Sequence, residues 1–503
     1  MSSWIVLLII AAYFCAIFFV SWLTTRKQQK DDKRTFFVGD RKSPWYVVAI
    51  AMIGTSISGV TYVSVPGMVA GSQFSYLQMV LGFVAGYFAV AYILLPLYYR
   101  LNLCSIYGYL EQRYGLNSYR TGSAFFLISK FLGCAVRMYL TAVVLQLVLF
   151  DGFGIPFAGS VALIMLIVWL YTFRGGVKTL VWTDLLQTLC LILAMIFFIY
   201  FVCKTLGLSA SGLFSTIADS EMSRTWFFDD ANDKRFFWKQ FLAGMFTTIA
   251  MTGLDQDMMQ KNLSCKSLKE AQKNMVSYGF GFLPVNLIFL SLGILLYKYA
   301  SELGMMSGTS ITSLEGNALV ADELFPYLAT GTNPFTGEAF LPLAVSILFV
   351  MGLIAAAFSS AGSAVTALTT SFTVDILRAD KQQDAVQLKR TRFWVHLANT
   401  ILMGFMIYIF SVVGSGSVIN AVYTVASYTY GPLLGLYFFG LYTKLRPRDG
   451  WVHFICILSP IICFILSTYA PVWFNGYTIG HELLLINGGL TAFGLMLCSK
   501  RRR

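Results

Sequence analysis

Long apolar runs, separated by short polar connections, fill the chain from one end to the other. The thirteen runs cover approximately residues 4–23, 45–71, 75–98, 119–150, 157–173, 179–203, 236–254, 273–299, 340–376, 393–412, 418–442, 451–470 and 482–498. A helix that crosses the hydrocarbon layer needs about 20 apolar residues, and most of these runs reach that length. The pattern therefore predicts an all-α integral membrane protein with about 13 transmembrane helices.

The second run, WYVVAIAMIGTSISGVTYVSVPGMVAG over residues 45–71, is poorly suited to a continuous helix. Its middle holds small and hydroxyl-bearing residues, followed by a proline: Gly54, Thr55, Ser56, Ser58, Gly59, Thr61 and Pro66. Glycine weakens a helix interior, short hydroxyl side chains compete for backbone groups, and proline lacks an N–H. We therefore expect a helix that breaks in mid-membrane, where an ion, a ligand or neighbouring protein satisfies the freed carbonyls. The alternative is that the small residues only let two helices pack closely.

Composition and the placement of charge narrow the class of protein. Of 503 residues, 57% are hydrophobic and 12% are charged, with a mean hydropathy of +0.69, which excludes a water-soluble globular domain of this size. On one side of the membrane, the connections, including residues 257–273, hold 28 of the 36 Lys and Arg. The positive-inside rule makes that side the cytoplasm. This predicts a multi-pass protein of the plasma (inner) membrane with its N-terminus outside and its C-terminus cytoplasmic.

A row of small oxygen-bearing residues marks a late span, AAFSSAGSAVTALTT over residues 356–370. Ala356, Ser359, Ser360 and Ser363 follow the spacing i, i+3, i+4 and i+7, so they share one face of a helix. Serine hydroxyls and backbone carbonyls are suitable ligands for a small, hard cation such as Na+. The same residues would also permit a tight helix crossing, and both interpretations stay open on residue type alone.

Charged residues within the spans are further candidates, because a charge is expensive to bury in a membrane. Asp184 lies in GGVKTLVWTDLLQ near the end of a span, where it is either functional or an interfacial carboxylate beside Lys178. Arg137 and Lys130 share one face of a long span. Arg137 could hold a substrate carboxylate, or it could only act as a strut paired with another group.

Two further carboxylates, Asp255 and Asp257, lie in GLDQDMMQ where a span ends. We expect them to form a solvated helix end or a gate instead of an ion site. The sequence contains no nucleotide-binding loop, which gives no support to an ATP-driven pump.

Five stretches together resemble the sodium:solute symporter family: SGVTYVSVP, YGYLEQRYG, GGVKTLVWTDLLQ, GLDQDMMQ and AAFSSAGSAVTALTTSFTVDI. The resemblance covers nearly the whole chain. It implies the fold first shown for leucine transporters, which is a 5+5 inverted-repeat core with a broken first core helix, one extra N-terminal helix and two extra C-terminal helices. The implied divisions are an N-terminal helix and loop (1–44), the first repeat (45–203), an extracellular connection (204–235), the second repeat (236–449), and two C-terminal helices with a basic tail (450–503).

The resemblance also implies where ions and solute bind. The implied sodium ligands are the backbone carbonyls of Gly54, Ile57 and Ala356 and the hydroxyls of Ser359 and Ser360. A second sodium would use Asp184, Ser359 and Ser363, although Gly362 lacks a hydroxyl that some sialic-acid transporters have at that position. The implied solute contacts are Ser56, Ser58, Thr61 and Tyr76. The family's substrate-binding arginine falls on Gly133, so Arg137, one helical turn further along, is a displaced candidate for an anion contact.

The expected function is that of a sodium-coupled secondary active symporter, not an enzyme. It would import a small polar organic solute by alternating access, with a sugar acid such as sialic acid, or another organic anion, slightly favoured because of Arg137. A neutral-sugar symporter, a transporter-like sensor and a proton-coupled carrier remain as alternatives. The expected partners are the solute, the sodium ion as coupling ion, and the lipid bilayer. We expect no nucleic acid and no obligate protein partner.

Overall fold

The computed structural model describes residues 3–25, 41–103, 105–173, 176–308, 310–413 and 418–500. Most of the basic connection after the first helix, and the final arginines, lie outside these residues. The predicted orientation of the termini, which depends partly on those residues, stays a prediction.

Helices dominate the described chain. In chain order the α-helices are α1 Ser3–Thr25, α2 Trp45–Ser56, α3 Gly59–Gly67, α4 Val69–Ser72, α5 Tyr76–Ala89, α6 Leu95–Arg100, α7 Gly108–Arg113, α8 Leu116–Leu145, α9 Phe157–Thr172, α10 Gly176–Thr205, α11 Ala210–Ala218, α12 Phe237–Thr248, α13 Gln256–Asn262, α14 Leu268–Glu302, α15 Ala321–Thr330, α16 Leu343–Ser371, α17 Ala379–Gln382, α18 Ala385–Val413, α19 Val418–Tyr442, α20 Val452–Trp473 and α21 Leu483–Leu497. Short π-helical turns extend α5, α8, α12 and α16. The strands are β1 Met306–Ser307, β2 Ser310–Thr312, β3 Ala318–Leu319, β4 Arg446–Pro447 and β5 Ser499–Lys500.

The strands are short and lie outside the helical core. Strands β1, β2 and β3 form an antiparallel sheet in the connection between α14 and α15. Strands β4 and β5 pair the end of the chain with the connection that follows α19.

Many of the helices are long and apolar enough to cross a membrane. Eight spans pass on length and composition within the described residues, and the bent pair α2 and α3 makes a ninth if it counts as one span. Shorter apolar helices, α9 and α21 among them, coincide with further predicted runs. The all-α membrane class is therefore confirmed, whereas the number of thirteen spans stays a prediction.

The predicted break in the second run is confirmed. Helix α2 ends at Ser56, α3 begins at Gly59, and their axes are bent by 61°. Between them, Ile57 and Ser58 have extended backbone angles, with ψ values of 96° and 173°. The Ile57 N–H still donates to the Ile53 carbonyl at 2.9 Å, but the extended backbone of Ile57 and Ser58 ends the helical hydrogen-bond ladder there. The carbonyls from Gly54 onward therefore lose their helical N–H partners.

Close helix packing occurs at the same place. A Cβ atom added at Gly54 would overlap Thr188 Oγ1 on α10, and one added at Gly59 would overlap Thr141 Oγ1 on α8. The glycines on either side of the break thus let α2 and α3 lie directly against two neighbouring helices. The sequence left close packing of small residues as the alternative to a helix break. The structure contains both features at this place.

Helix α10 joins the early and late candidate segments. It packs against both α2 and α16, and α16 also contacts both α2 and α3. This arrangement brings residues that are about three hundred positions apart in the chain to the two sides of one junction.

Candidate functional site

A cavity of about 850 Å3, counting its part that is open to solvent, lies beside the helix break. Helices α2, α3, α5, α8, α12, α13, α14, α16 and α19 contribute residues to its wall. The lining includes all the predicted solute contacts, namely Ser56, Ser58, Thr61, Tyr76 and Arg137, and also Ser360 from the predicted sodium set. The fold thus brings these residues to one cavity, although nothing in their positions alone tests what they bind.

Hydroxyl groups form a connected chain along one wall of the cavity. The Ser56 and Tyr278 hydroxyl oxygens lie 2.5 Å apart, and the Tyr87 hydroxyl donates to that of Tyr278 at 2.9 Å. Tyr87 and Tyr278 are both buried. Neither tyrosine was expected from the sequence, because an isolated tyrosine within a span carries no positional signal.

A second tyrosine pair borders the cavity near the 204–235 connection. The Tyr76 and Tyr423 hydroxyl oxygens lie 3.2 Å apart and link α5 to α19. Tyr76 begins α5, and the adjacent Phe74 N–H donates to the Arg224 carbonyl in that connection. The hydroxyl pair therefore lies at the end of the cavity nearest the 204–235 connection.

Arg137 projects into the cavity from α8. Its Nε donates to the Gly133 carbonyl at 3.0 Å, so the side chain folds back by one helical turn. A Cβ atom added at Gly133 would lie 3.6 Å from Arg137 Nη2. The guanidinium group therefore lies over the position where the resemblance placed the family's arginine.

The opposite end of the cavity is bordered by a buried ionic cluster. Lys130 Nζ lies 3.1 Å from Asp255 Oδ2 and 2.8 Å from Asp257 Oδ2. The Tyr430 hydroxyl also donates to Asp255 Oδ2, at 2.6 Å. The interpretation of the two aspartates as a solvated helix end is wrong, because their side chains are only 3% and 4% exposed. Their role as a gate stays a prediction.

The short helix α13 explains why these carboxylates are buried. Asp255 is its N-cap and accepts hydrogen bonds from the backbone N–H groups of Asp257 and Met258. All seven residues of α13 are buried, so the chain continues through the protein after α12 instead of entering water. Aspartate is one of the residues preferred at helix N-caps, so the sequence does contain a signal for a helix that starts after Asp255.

The predicted sodium ligands lie on the broken helix and on α16. Gly54 and Ile57 are buried at the end of α2, and Ala356, Ser359 and Ser360 are 1%, 1% and 5% exposed on α16. The Ser359 hydroxyl donates to Asp184 Oδ1 at 2.9 Å. Because Ser359 gives its hydrogen to a carboxylate, its lone pairs remain available to a cation.

Asp184 is the centre of a second polar cluster, which is more deeply buried than the first. Its Oδ2 accepts hydrogen bonds from Ser363 at 3.1 Å and from Thr55 at 3.2 Å. Lys261 Nζ lies 2.6 Å from the same oxygen and also contacts Thr55 Oγ1. The interpretation of Asp184 as an interfacial carboxylate fails, because its side chain is 1% exposed.

The sequence interpretation of Lys261 as a residue of a polar connection is wrong. Lys261 was counted among the basic residues of the connection 257–273, whereas it belongs to the buried helix α13 and its side chain is 2% exposed. The partner of Asp184 could not be found from local sequence, because 77 positions separate the two residues.

Tyr171 occupies the space beside Gly362. A Cβ atom added at Gly362 would overlap the Tyr171 hydroxyl, which donates to the Phe358 carbonyl at 2.5 Å. The glycine is therefore required by this contact, which gives a physical reason for the missing hydroxyl at that position.

Comparison with known proteins identifies relatives along nearly the whole chain. The sodium/sialic acid symporter of Proteus mirabilis is 22% identical and covers 96% of this chain and 94% of its own length. The human sodium-coupled monocarboxylate transporter 2 is 24% identical over 85% of this chain and 67% of its own length.

Solved structures show the same fold. A Na+-coupled sialic acid symporter, described in a substrate-bound outward-open state, covers 100% of this chain with a TM-score of 0.79 at 20% identity. Mhp1, a transporter of the nucleobase-cation-symport-1 family, covers 92% of this chain with a TM-score of 0.51 at 13% identity. The leucine-transporter-like architecture is therefore confirmed. Because the model of the sodium:solute symporter family matches residues 36–451, the chain belongs to that family of sodium-coupled transporters.

Proposed function

We propose that this protein imports a small organic anion, a sugar acid such as sialic acid, together with Na+. The observation that carries the proposal is the state of the two cations in the central cavity. Lys130 is neutralised by two carboxylates, whereas no ion pair among the described residues joins Arg137 to an acidic side chain. The charges of Lys130, Arg137, Asp255 and Asp257 in the lining sum to zero, but both carboxylates contact Lys130. The Arg137 guanidinium is therefore the cation of this cavity without an acidic partner among the described residues, and it can pair with an anionic solute.

The chemistry of the lining fits a sugar acid. A guanidinium group can bind a carboxylate through two parallel hydrogen bonds, and Arg137 Nη2 is directed over Gly133, towards the adjacent helical turn. The hydroxyls of Ser56, Tyr278 and Tyr87 provide donors and acceptors for the hydroxyl groups of a sugar. The names of two relatives, which specify sialic acid and monocarboxylates, support the proposal that the solute is an anion.

We place the coupling Na+ between the broken helix and α16. Its ligands would be the carbonyls of Gly54, Ile57 and Ala356 and the hydroxyls of Ser359 and Ser360. The freed carbonyls at the end of α2 and the burial of both serines support this set. Na+ bound there would hold α2 against α16 next to Ser56 and Ser58, so the ion and the solute would each raise the affinity for the other.

Alternating access then follows from opening the two ends of the cavity in turn. In this scheme the Tyr76 and Tyr423 pair borders the outer side, and the cluster of Lys130, Asp255 and Asp257 borders the cytoplasmic side. The scheme assumes the orientation inferred from basic residues, with the N-terminus outside and the C-terminus in the cytoplasm. It also keeps the proposed boundaries of the two repeats, residues 45–203 and 236–449.

Uptake by the purified protein in liposomes tests the proposed function. With an inward Na+ gradient, we expect radiolabelled N-acetylneuraminate to accumulate, and with K+ in place of Na+ we expect no accumulation. Competition by unlabelled glucuronate, lactate and glucose identifies the solute class, and we expect the acids to compete better than glucose.

Variants of α8 connect that result to the structure. Arg137→Gln is expected to raise the KM for the acid at least tenfold, which corresponds to about 1.4 kcal/mol. Arg120→Gln, an exposed arginine on the same helix, is the matched control. If Na+-driven uptake of glucose is unaffected by Arg137→Gln, the result would instead support a neutral-sugar symporter. The hydroxyl groups along the cavity wall could also bind a neutral sugar.

A further inference from the structure

The Asp184 cluster already contains a positive charge that belongs to the protein. The carboxylate receives hydrogen bonds from three hydroxyl groups on two helices, namely Thr55 on α2 and Ser359 and Ser363 on α16, whereas Asp184 itself lies on α10. The Lys261 ammonium, from α13, approaches Asp184 Oδ2 more closely than any of these hydroxyls, at 2.6 Å. Every carboxylate oxygen thus has a donor, and the net charge of the pair is zero.

The position of Lys261 is fixed by its surroundings. Its side chain is 2% exposed, and the neighbouring residues of α13 are all buried. Gln260, next to it, donates to Thr370 Oγ1 on α16 at 3.1 Å, which ties α13 to the same helix that carries Ser359 and Ser363. The ammonium group therefore cannot leave the carboxylate for solvent by a simple side-chain rotation.

A metal ion at this carboxylate would have to compete with the ammonium. The oxygens of Asp184, Thr55, Ser359 and Ser363 that could surround a small cation are the ones that surround or support the Lys261 contact. Adding Na+ without moving Lys261 would place two positive charges against one buried negative charge.

We infer that Lys261 is a built-in cation that occupies the Asp184 site permanently, so that the protein binds one Na+ per chain and not two. This rests on the proposed Na+ site between α2 and α16, which shares Ser359 with the Asp184 cluster. The ion pair also gives Asp184 a structural role for that site, because the neutralised carboxylate accepts the Ser359 hydrogen and leaves its lone pairs free. Asp184 and Lys261 are in this sense positioning residues.

Counting bound Na+ in the purified full-length protein tests the inference. Equilibrium binding of radioactive Na+ is measured with the unmodified chain, Lys261→Met, and the double variant Lys261→Met with Asp184→Asn. Lys266→Met, an exposed lysine beyond the same helix, is the control. We expect one Na+ per chain in the unmodified protein and in the control. Lys261→Met should bind two, because Asp184 is freed, and the double variant should return to one.

The outcomes separate this inference from the proposed function. Two Na+ ions bound to the unmodified protein, or one bound to a folded Lys261→Met variant, would overturn the role of Lys261 and leave sodium coupling intact. No Na+ bound to the unmodified protein would overturn the proposed sodium site as well. If Lys261→Met does not fold, the count in the unmodified protein still decides, since two ions contradict the inference and one supports it.

Discussion

The ammonium of Lys130 and the carboxylate of Asp257 meet at 2.8 Å at one end of the central cavity, with side chains that are 9% and 4% exposed. The contact joins α8 to the buried helix α13, and Asp255 completes the cluster from the start of α13. The cluster therefore links α8 to α13, and both helices contribute side chains to the cavity lining. A buried pair of this kind is sensitive to loss of one partner.

Removing Lys130 should therefore cost more than removing either carboxylate. Lys130→Met leaves Asp255 and Asp257 buried without a counter-charge, and a loss of about 3–5 kcal/mol in stability is expected from such a change. Asp257→Asn should cost less, because Lys130 keeps Asp255 as its partner. Thermal unfolding of both purified variants measures the order. A smaller loss for Lys130→Met than for Asp257→Asn would contradict the pairing.

The hydroxyl chain should contribute to solute affinity in a graded way. Tyr278 contacts Ser56 directly, whereas Tyr87 acts through Tyr278. Since one hydrogen bond contributes about 0.5–1.5 kcal/mol, Tyr278→Phe should raise the KM for uptake about two- to tenfold, and Tyr87→Phe should raise it less. The control is Tyr200→Phe, an exposed tyrosine on α10. Equal effects at all three positions would argue against a role of this wall in solute binding.

Loss of the Ser360 hydroxyl should weaken Na+ and solute binding together. Ser360 lines the cavity and belongs to the proposed Na+ set. We expect Ser360→Ala to raise the Na+ concentration for half-maximal uptake about tenfold, and by linkage to lower solute affinity at limiting Na+ but not at saturating Na+. Uptake measured over a grid of Na+ and solute concentrations tests this. An unchanged Na+ dependence in the Ser359→Ala, Ser360→Ala double variant would remove the proposed site.

The close packing at Gly54 should make that position intolerant of any side chain. A Cβ atom there would overlap Thr188 Oγ1 and would lie 3.4 Å from the Asp184 carbonyl. Gly54→Ala is expected to destabilise the protein by about 1–3 kcal/mol through overpacking. Combining it with Thr188→Ala should recover part of that loss.

Gly71→Ala provides the matched control for this prediction, because, apart from its chain neighbours and its own helix backbone, no atom lies within 4 Å of the Cβ position at Gly71. Thermal unfolding and Na+-driven uptake are measured for all the variants. If Gly54→Ala unfolds and transports like Gly71→Ala, the contact between α2 and α10 is looser than the structure indicates.

Local sequence predicted the parts of the site that depend on local chemistry. Glycine, serine and proline together predicted a break within the run 45–71, since these residues disfavour a helix wherever they occur. The structure has that break at residues 57–58. The spacing of Ser359, Ser360 and Ser363 indicated a shared face, and the structure places them on one helix. Such features follow from neighbours within one or two helical turns.

The ionic pairings could not be predicted, because they depend on how distant helices pack. Lys261 is a basic residue near the end of a span, which in most membrane proteins is a solvated position. Only the burial of α13 brings it to Asp184. Likewise, Lys130 and Asp255 are 125 positions apart, and nothing in either segment specifies the other.

The dependence of solute accumulation on membrane potential tests two proposals together. The first is that the solute is an anion, and the second is that Lys261 excludes a second Na+. One Na+ and one monovalent anion carry no net charge together, so steady-state accumulation by the unmodified protein should be nearly independent of potential. A second Na+ would add one charge, worth about 2.3 kcal/mol at 100 mV, or about a 50-fold change in accumulation. Potentials set by K+ gradients and valinomycin, at a fixed Na+ gradient, distinguish the two cases.

Lys261→Met, in which Asp184 is available to a second ion, should gain the dependence on potential that the unmodified protein lacks, whereas Lys266→Met should not. Accumulation by the unmodified protein that rises steeply with an inside-negative potential would mean that more positive than negative charge enters in each cycle, which contradicts the combination of an anionic solute with a single Na+.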